Sequence, residues 1–591
     1  MDRLSKEQEN KPMGISQPRG RTVRAHRDGG VQQQQEFPTL VLQHPEPMRS
    51  YFTTSAFALA IVTNAQWAAP SMNTPVRQAN GVEAATPLSA PGPDGSTYVC
   101  WFESGGDGYV LRMQRLDASG VAMWDPAGLL VSDQPQNSAL FRYDLTSDAS
   151  GNAIVAFQDE RTGTLDVVAC KVEPDGSLPW GDGISLPSPT GTGLAPNIGV
   201  LTDGRLVFAW TTDASPSTVA LQVVDQDGTL APTTAEYAAT GNTNRPKIIP
   251  TSDSGFWLQY VEQTGNFLSP GTLKAIRTTA ALESGPVLSV SSKSVSGFYF
   301  PQPVPDGHDG FYVAINTGNA TNANLTDVYV ARLRADGTNW SETGTAVEEG
   351  ATTQRYTMTA APALVGDEDG LMMAYSRTNL NQDQGGIAVQ RLDTAGARQL
   401  GATGVEVLPL STALPGPFAN AAVSDGIVCA TMQGGFSANT LSAFRIGLEG
   451  SVVDPPGELD VCTVSSGKDD PTLVPFRNGQ AVAVWLDQRN GAGIYAQPII
   501  LSTGSGIAEA TNAAMLLRGG DRPAVVFPMG TLGRSVLRML GPDGRLVNEQ
   551  ALTPQAEGAS IQLPVTGLAT GSYAVVLEQG HGRSVQRIMV W

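Results

Sequence analysis

Chemistry needs side chains that exchange protons, hold charge or attack, and this sequence presents few of them in a working order. Asp469 and Asp470 are adjacent carboxylates that could pair in a glycosidase-like site. They also lie beside a turn, where acidic residues are ordinary. The four histidines, His26, His44, His308 and His581, are far apart in sequence and give no zinc-type spacing. No GxSxG elbow, HExxH pair or phosphate-cradling glycine loop is present. No catalytic residue is assigned, and neither metal nor cofactor is expected. Asp159 with Arg161, and Asp487 with Arg489, repeat an acid–x–Arg spacing in "QDER" and "LDQR". That spacing fits a ligand or ion site, or an ion pair bracing a hairpin. A further set lies beside Pro-led apolar stretches: Arg142, Tyr143, Asn197, Arg245, Lys247, Asn420 and Asp470. If those stretches line a channel, the seven make a mixed polar ring able to hold a ligand.

Positioning such a ring falls to a repeat. Eight times a glycine follows a polar turn and opens an apolar strand, at Gly95, Gly151, Gly204, Gly255, Gly310, Gly370, Gly426 and Gly479. The spacings run from 51 to 60 residues. Seven to nine residues earlier a proline heads another apolar stretch, at Pro87, Pro196, Pro246, Pro303, Pro362, Pro417 and Pro471. The second unit has Tyr143 instead. Proline is tolerated at the first residue of a strand, so the spacing predicts that these prolines start the innermost strands. A third strand ends in turns such as "LDASG", "EPDG" and "DQDG", the tight-hairpin signature. A fourth apolar piece follows, led by Trp124, Trp180 and Trp340 in three units.

Four antiparallel strands per unit, eight units long, predict an all-β fold: an eight-bladed β-propeller, with a shorter-coiled β-solenoid as its rival. The eighth unit lacks its fourth strand. Residues near 66–86 carry a Trp and then Gly-Val, like the other fourth strands. They are therefore expected to complete the last blade and so remove two open sheet edges.

Composition agrees. Only 16% of residues are charged, against 65 glycines and 40 prolines, a turn-rich β chain. The net charge of −19 repels phosphate backbones and anionic lipid, so nucleic acid is not an expected partner. Cys100 and Cys170 sit in apolar runs and read as buried thiols. Cys429 and Cys462 could pair in an exported protein, although sequence does not decide it.

Residues 1–47 are polar and expected to be disordered or to be an over-extended gene start, with translation beginning at Met48. Residues 48–65 have a positive end, a short apolar core and a small residue at Ala65, the pattern of a secretory signal peptide. No segment reads as transmembrane. The propeller is assigned to 66–510 and a separate Ig-like β-sandwich to 511–591.

The repeats, best in 155–169 and 482–497, resemble those of secreted bacterial β-propeller proteins. The end of the chain, through "VLRMLGPDGRLV", "IQLPVTGLATGSYAVVL" and "QRIMVW", resembles the C-terminal sorting domain of the type IX secretion system of Bacteroidota. Leu568, Gly571 and Tyr573 match that family's diagnostic run, and Arg587 stands where lysine is common. The usual Pro-Asn-Pro opening is missing. The resemblance implies export by Sec and then by the type IX machinery, to the medium or the cell surface through the periplasm. The expected function is non-enzymatic binding of a polymer or protein partner by a monomer. The alternative is a polysaccharide-active hydrolase or lyase with its site at the channel mouth.

Overall fold

The computed structural model describes residues 67–591, except 106–107, 137–141, 267–268, 298, 323–324, 351, 358–359, 366–369, 436–437, 454–457, 478, 502–515, 519–523, 528–534, 541–544, 554–558, 566–567, 569–570, 580–581 and 591. The leader assignments, 1–47 and 48–65, lie outside these residues, as does the join between propeller and C-terminal module.

Eight antiparallel sheets follow one another along the chain, spanning 84–136, 144–186, 193–237, 242–295, 303–346, 354–411, 416–466 and 468–500. Within blades 1 to 5 and blade 7 each strand pairs with the next in sequence, so a blade is a meander running from channel to rim. In blade 6 the inner strand is split, and Gln354–Tyr356 and Ala363–Val365 both pair with Gly370–Thr378. The inner strand of blade 1, Ala84–Pro91, packs beside that of blade 2, Asp144–Ser147, and beside that of blade 8, Lys468–Arg477. The ring is therefore closed, and the fold is an eight-bladed β-propeller.

The second strands are apolar throughout because both of their faces are covered. In Leu206–Thr212, alternation sends Leu206, Phe208 and Trp210 toward blade 2 and Val207 and Ala209 toward blade 4. Trp101, Trp210 and Trp485 are fully buried in such seams. A buried aromatic of this size contributes about 4–6 kcal/mol of transfer free energy.

At the rim a single contact recurs. The tryptophan heading a fourth strand packs on the third-hairpin glycine of the next blade: Trp124 on Gly176, Trp180 on Gly228, Trp340 on Gly396. The indole N–H of Trp180 donates to the carbonyl of Gln226, and that of Trp340 to Thr394, two residues before the glycine in each case. Trp67 does the same across the closure. It covers Gly120 and donates to Ala118 at 3.0 Å. Gly120 has φ +87°, and a Cβ there would lie 2.5 Å from the Trp67 ring, so only glycine fits.

Thr74–Arg77 then pairs antiparallel with Gly493–Ile500 as the outer strand of blade 8, as the sequence predicted. Side chains secure it. Asn73 donates to Val461 O and Gln497 Oε1, and Arg77 makes two bonds to Glu103 in blade 1. The acid–x–Arg pairs prove to be braces. Asp159 accepts from the Nε and Nη2 of Arg161. Buried Asp487 accepts from Arg489, Trp485 and Ser466 and lies 3.4 Å from the ammonium of Lys468. Arg489 also ties down Met72 O and Asn73 Oδ1.

One sequence expectation is corrected, and one question the sequence left open is answered. The prolines do not, in general, begin the inner strands. Pro87, Pro196, Pro246 and Pro471 fall inside Ala84–Pro91, Gly193–Val200, Asn242–Pro250 and Lys468–Arg477, each at a break in register. The residue before each has a left-handed φ: Thr86 +48°, Ala195 +49°, Arg245 +55°, Asp470 +47°. A bulge takes the missing proline N–H out of the ladder. The cysteines are all free, and Cys429 and Cys462 face opposite seams of blade 7, which rules out their pairing.

Among the described residues, the C-terminal module has a three-stranded and a four-stranded sheet. Its core holds Val525, Leu537, Met539, Tyr573, Val575 and Leu577.

Candidate functional site

The inner strands begin at the mouth where each outer strand hands over to the next blade, called here the upper mouth. In blades 1, 3, 4, 7 and 8 a break in register lies in this half of the inner strand, and Arg142 and Tyr143 immediately precede the inner strand of blade 2. The structure divides the residues of the predicted polar ring into two groups.

Most of them clasp neighbouring blades. The buried hydroxyl of Tyr143 reaches the carbonyls of Thr86 (2.6 Å) and Cys100 (2.8 Å) in blade 1, and burial raises its pKa well above the usual phenol value. Asn197 donates to Asp144 Oδ2 at 2.6 Å and accepts from the backbone N–H of Ile248 at 2.7 Å, joining blades 2, 3 and 4. Asn420 donates to Ala361 O and to Ala374 O in blade 6. Arg245 is capped by the connector that leads into blade 5. Its Nη1 donates to Tyr299 O at 2.9 Å and its Nη2 to Gly297 O at 2.5 Å.

Arg142, Lys247 and Asp470 are different. The guanidinium of Arg142 lies over the Phe300 ring, 3.5 Å from its centroid, and Arg245 lies 4.8 Å from the same ring. Arg142 belongs to the start of blade 2 and Phe300 to the connector from blade 4 to blade 5, so the stack crosses part of the mouth. Among the described residues, the N–H groups of Arg142 have no hydrogen-bond or ion-pair partner. The half-buried Lys247 has none either. Stacking orients a guanidinium by its face and leaves all five donors on its edge available.

The three cations are short of negative charge. Although Arg142 opens onto the channel, the surrounding wall desolvates it and lowers its pKa, against the pull of Asp470. Burial, and then Arg142, brings Arg245 down to about 10. Lys247 is lowered by burial and by Arg142, with Asp144 opposing. Asp470 is raised by its desolvated setting and then by Asp469, with Arg142 opposing. Asp469 itself pairs in register with Leu486, whereas Asp470 occupies the bulge, so the two adjacent carboxylates are held in different backbone settings.

Phe300 and Asp144 were missed in the sequence. Asp144 looks like any strand residue, and its role depends on a neighbouring blade. Phe300 left a signal: "FYF" (298–300) puts three aromatics between two repeat units, where no strand is due.

In the C-terminal module Tyr573 is buried and Leu568 packs against the same core. Gly571 opens the strand Gly571–Gln579, and Arg587 pairs in register with Ala574. Among the described residues no cluster of His, Cys, Asp or Glu could hold a metal ion, and no helix is long and apolar enough to cross a membrane.

No family model matches the chain, and no curated protein matches it. Among solved structures, a PL25 ulvan lyase bound to -[GlcA(1-4)Rha3S]- is 10% identical, with TM-score 0.42 over 72% of this chain and 94% of that one. A puromycin hydrolase mutant complexed with PGG is 12% identical, with TM-score 0.39 over 71% and 61%. A prolyl endopeptidase structure is 14% identical, with TM-score 0.34 over 77% and 55%. At these identities and scores no chemistry transfers to this chain.

Proposed function

We propose that the chain is an exported β-propeller whose upper mouth binds a sparsely charged anionic polysaccharide. The carrying observation is Arg142, held flat on Phe300 with its donor edge uncommitted. Such an edge matches a carboxylate or sulfate in two-point contact. Lys247 adds a second uncommitted cation. The rest of the chain sets the charge density of the ligand. A net charge of −19 opposes dense polyanions, so a chain with isolated anionic groups approaches more readily than a nucleic acid does.

Pectins of graded methyl esterification test this, because they vary carboxylate spacing on one backbone. Retention by the propeller should peak at sparse carboxylates and fall with salt, and Arg142→Ala should abolish the preference. Equal retention of neutral and charged pectins overturns the reading.

Export rests on the leader at 48–65 and on the C-terminal pattern of Leu568, Gly571, Tyr573 and Arg587, with the type IX secretion machinery as partner. The buried Tyr573 supports this, since an ordered terminal module is what a sorting receptor would read. Deleting 515–591 should strand the protein in the periplasm. Unchanged secretion of the truncated chain counts against it.

A further inference from the structure

We infer that the lower mouth, at the opposite end of the channel, holds a second binding site, for a small hydroxylated monocarboxylate such as a free uronic acid. The inner strands of blades 8, 1 and 2 lie side by side and end there, at Arg477, Pro91 and Ser147. Between these ends and the turns that follow in blades 1 and 2 is a cavity of about 210 Å³. Its wall includes Pro91, Pro93, Ser147, Asp148, Ser150 and Arg477. At roughly 30 Å³ per liquid water, that volume takes about seven waters, or one sugar ring in their place. The site is separate from the upper mouth and does not rest on the reading given above.

The wall is fixed by the fold itself. On blade 1, the N–H of Gly92 donates to Ser96 O, and Arg115 Nε donates to Ser96 Oγ at 3.1 Å. On blade 2, Asp148 accepts from the N–H groups of Ser150 and Asn152. Tyr98 of blade 1 reaches across and donates to Gly151 O at 2.7 Å. The two turns close on each other where Gly151, at φ +82°, faces Pro93, and a Cβ there would lie 3.0 Å from that ring. A ligand entering such a wall orders little of it, which keeps the entropic cost of binding low.

Charge and hydrogen bonding select the ligand. Arg477 Nη2 donates to Gly92 O at 2.7 Å and to Ser96 O at 2.9 Å, holding the guanidinium across the seam. Two of the five donors are spent in this way, and among the described residues Nε and Nη1 have no partner. Burial lowers the pKa of Arg477, and no neighbouring carboxylate opposes the shift. Asp148 lines the same cavity, but its oxygens already accept from two backbone N–H groups and Asn152 Nδ2, and it lies 3.7 Å from the ammonium of Lys171. The wall therefore presents one unmatched cation, which one carboxylate neutralises by a charge-assisted bond. Ser147 and Ser150 add hydroxyls that no described side chain engages, and these suit the hydroxyl groups of a sugar ring.

Calorimetry on the full chain carrying Arg142→Ala tests the site, because that background removes the upper-mouth guanidinium. Galacturonate should bind about tenfold or more tightly than galactose, which offers the same ring without the carboxylate. Ser150→Leu fills the cavity from its exposed edge and keeps the N–H that Asp148 accepts, and it should weaken galacturonate about tenfold or more. Arg477→Gln should do the same, and melting curves show whether loss of its clasp on blade 1 has unfolded the protein. Absence of galacturonate binding, equal binding of the two sugars, or undiminished binding by folded Ser150→Leu protein overturns the site. The upper-mouth reading stands or falls separately, on retention of pectin by the wild type.

Discussion

The rim and the upper mouth of this propeller are built on the same repeat but use it differently. At the rim both backbone and side chain recur, with tryptophan on a left-handed glycine at Gly120, Gly176, Gly228 and Gly396. At the mouth the backbone recurs and the side chain does not. The bulge before a proline carries a hydroxyl at Thr86, a methyl at Ala195, a guanidinium at Arg245 and a carboxylate at Asp470. A contact repeated at four junctions, and replaced by aliphatic packing at Gly337 and Gly450, serves the ring. A side chain that varies on a repeated, strained backbone answers to something the ring does not need.

Substitutions at the rim and closure should therefore change stability and spare binding, and those at the mouth the reverse. The largest effect is expected for Asp487→Ala at the closure, which strands the buried Lys468 and Arg489 and should cost about 3–5 kcal/mol in denaturant unfolding. The same carboxylate carries a pH signature. Burial pushes it up, but hydrogen bonds from Arg489, Trp485 and Ser466 outweigh burial and hold it well below its ordinary 3.8. A depressed carboxyl contributes stability above the unfolded value and loses it as pH falls below about 3.8. Wild type should thus weaken faster with acid than Asp487→Ala, as melting curves from neutral pH downward would show.

Next is Gly120→Val, which combines a left-handed β-branched residue with a clash against Trp67. It should cost about 2–4 kcal/mol, and the folded fraction should still retain pectin normally. At the mouth, Arg142→Ala should weaken binding about 10–100-fold with an unchanged melt, and Phe300→Ala about 3–10-fold, by releasing the guanidinium from its platform. Titration calorimetry reads both. The smallest effect is Ala195→Gly, where relief of a left-handed alanine should raise stability by up to about 1 kcal/mol. If Ala195→Gly altered binding, the separation between rim and mouth would fail.

The rim was legible in the sequence because its signals are local. A hairpin that needs positive φ calls for glycine, and Trp67 repeats the Trp-then-Gly wording of the other fourth strands. The strand-initiating role read for proline holds at Pro303 but fails at Pro87, Pro196, Pro246 and Pro471, because a bulge is a property of two strands in register and one strand's residues do not announce it. The division of the seven polar residues was invisible in the sequence. Tyr143, Asn197, Arg245 and Asn420 are bound mainly by backbone groups of neighbouring blades or connectors, which sequence does not locate. Arg142 stands apart through Phe300, an aromatic outside the repeat.

The closing strand also sets a clock. Met72 and Arg489, which meet at the closure, are 417 residues apart in the chain. At about 5–20 residues per second, the first-made strand waits roughly 20–80 s on the ribosome for its partner. During that interval it has no ladder to join, and the emerging blade 8 will offer an open edge until the two meet. Whatever accompanies the nascent chain must keep those two ends apart from other chains, and available to each other, for most of a minute.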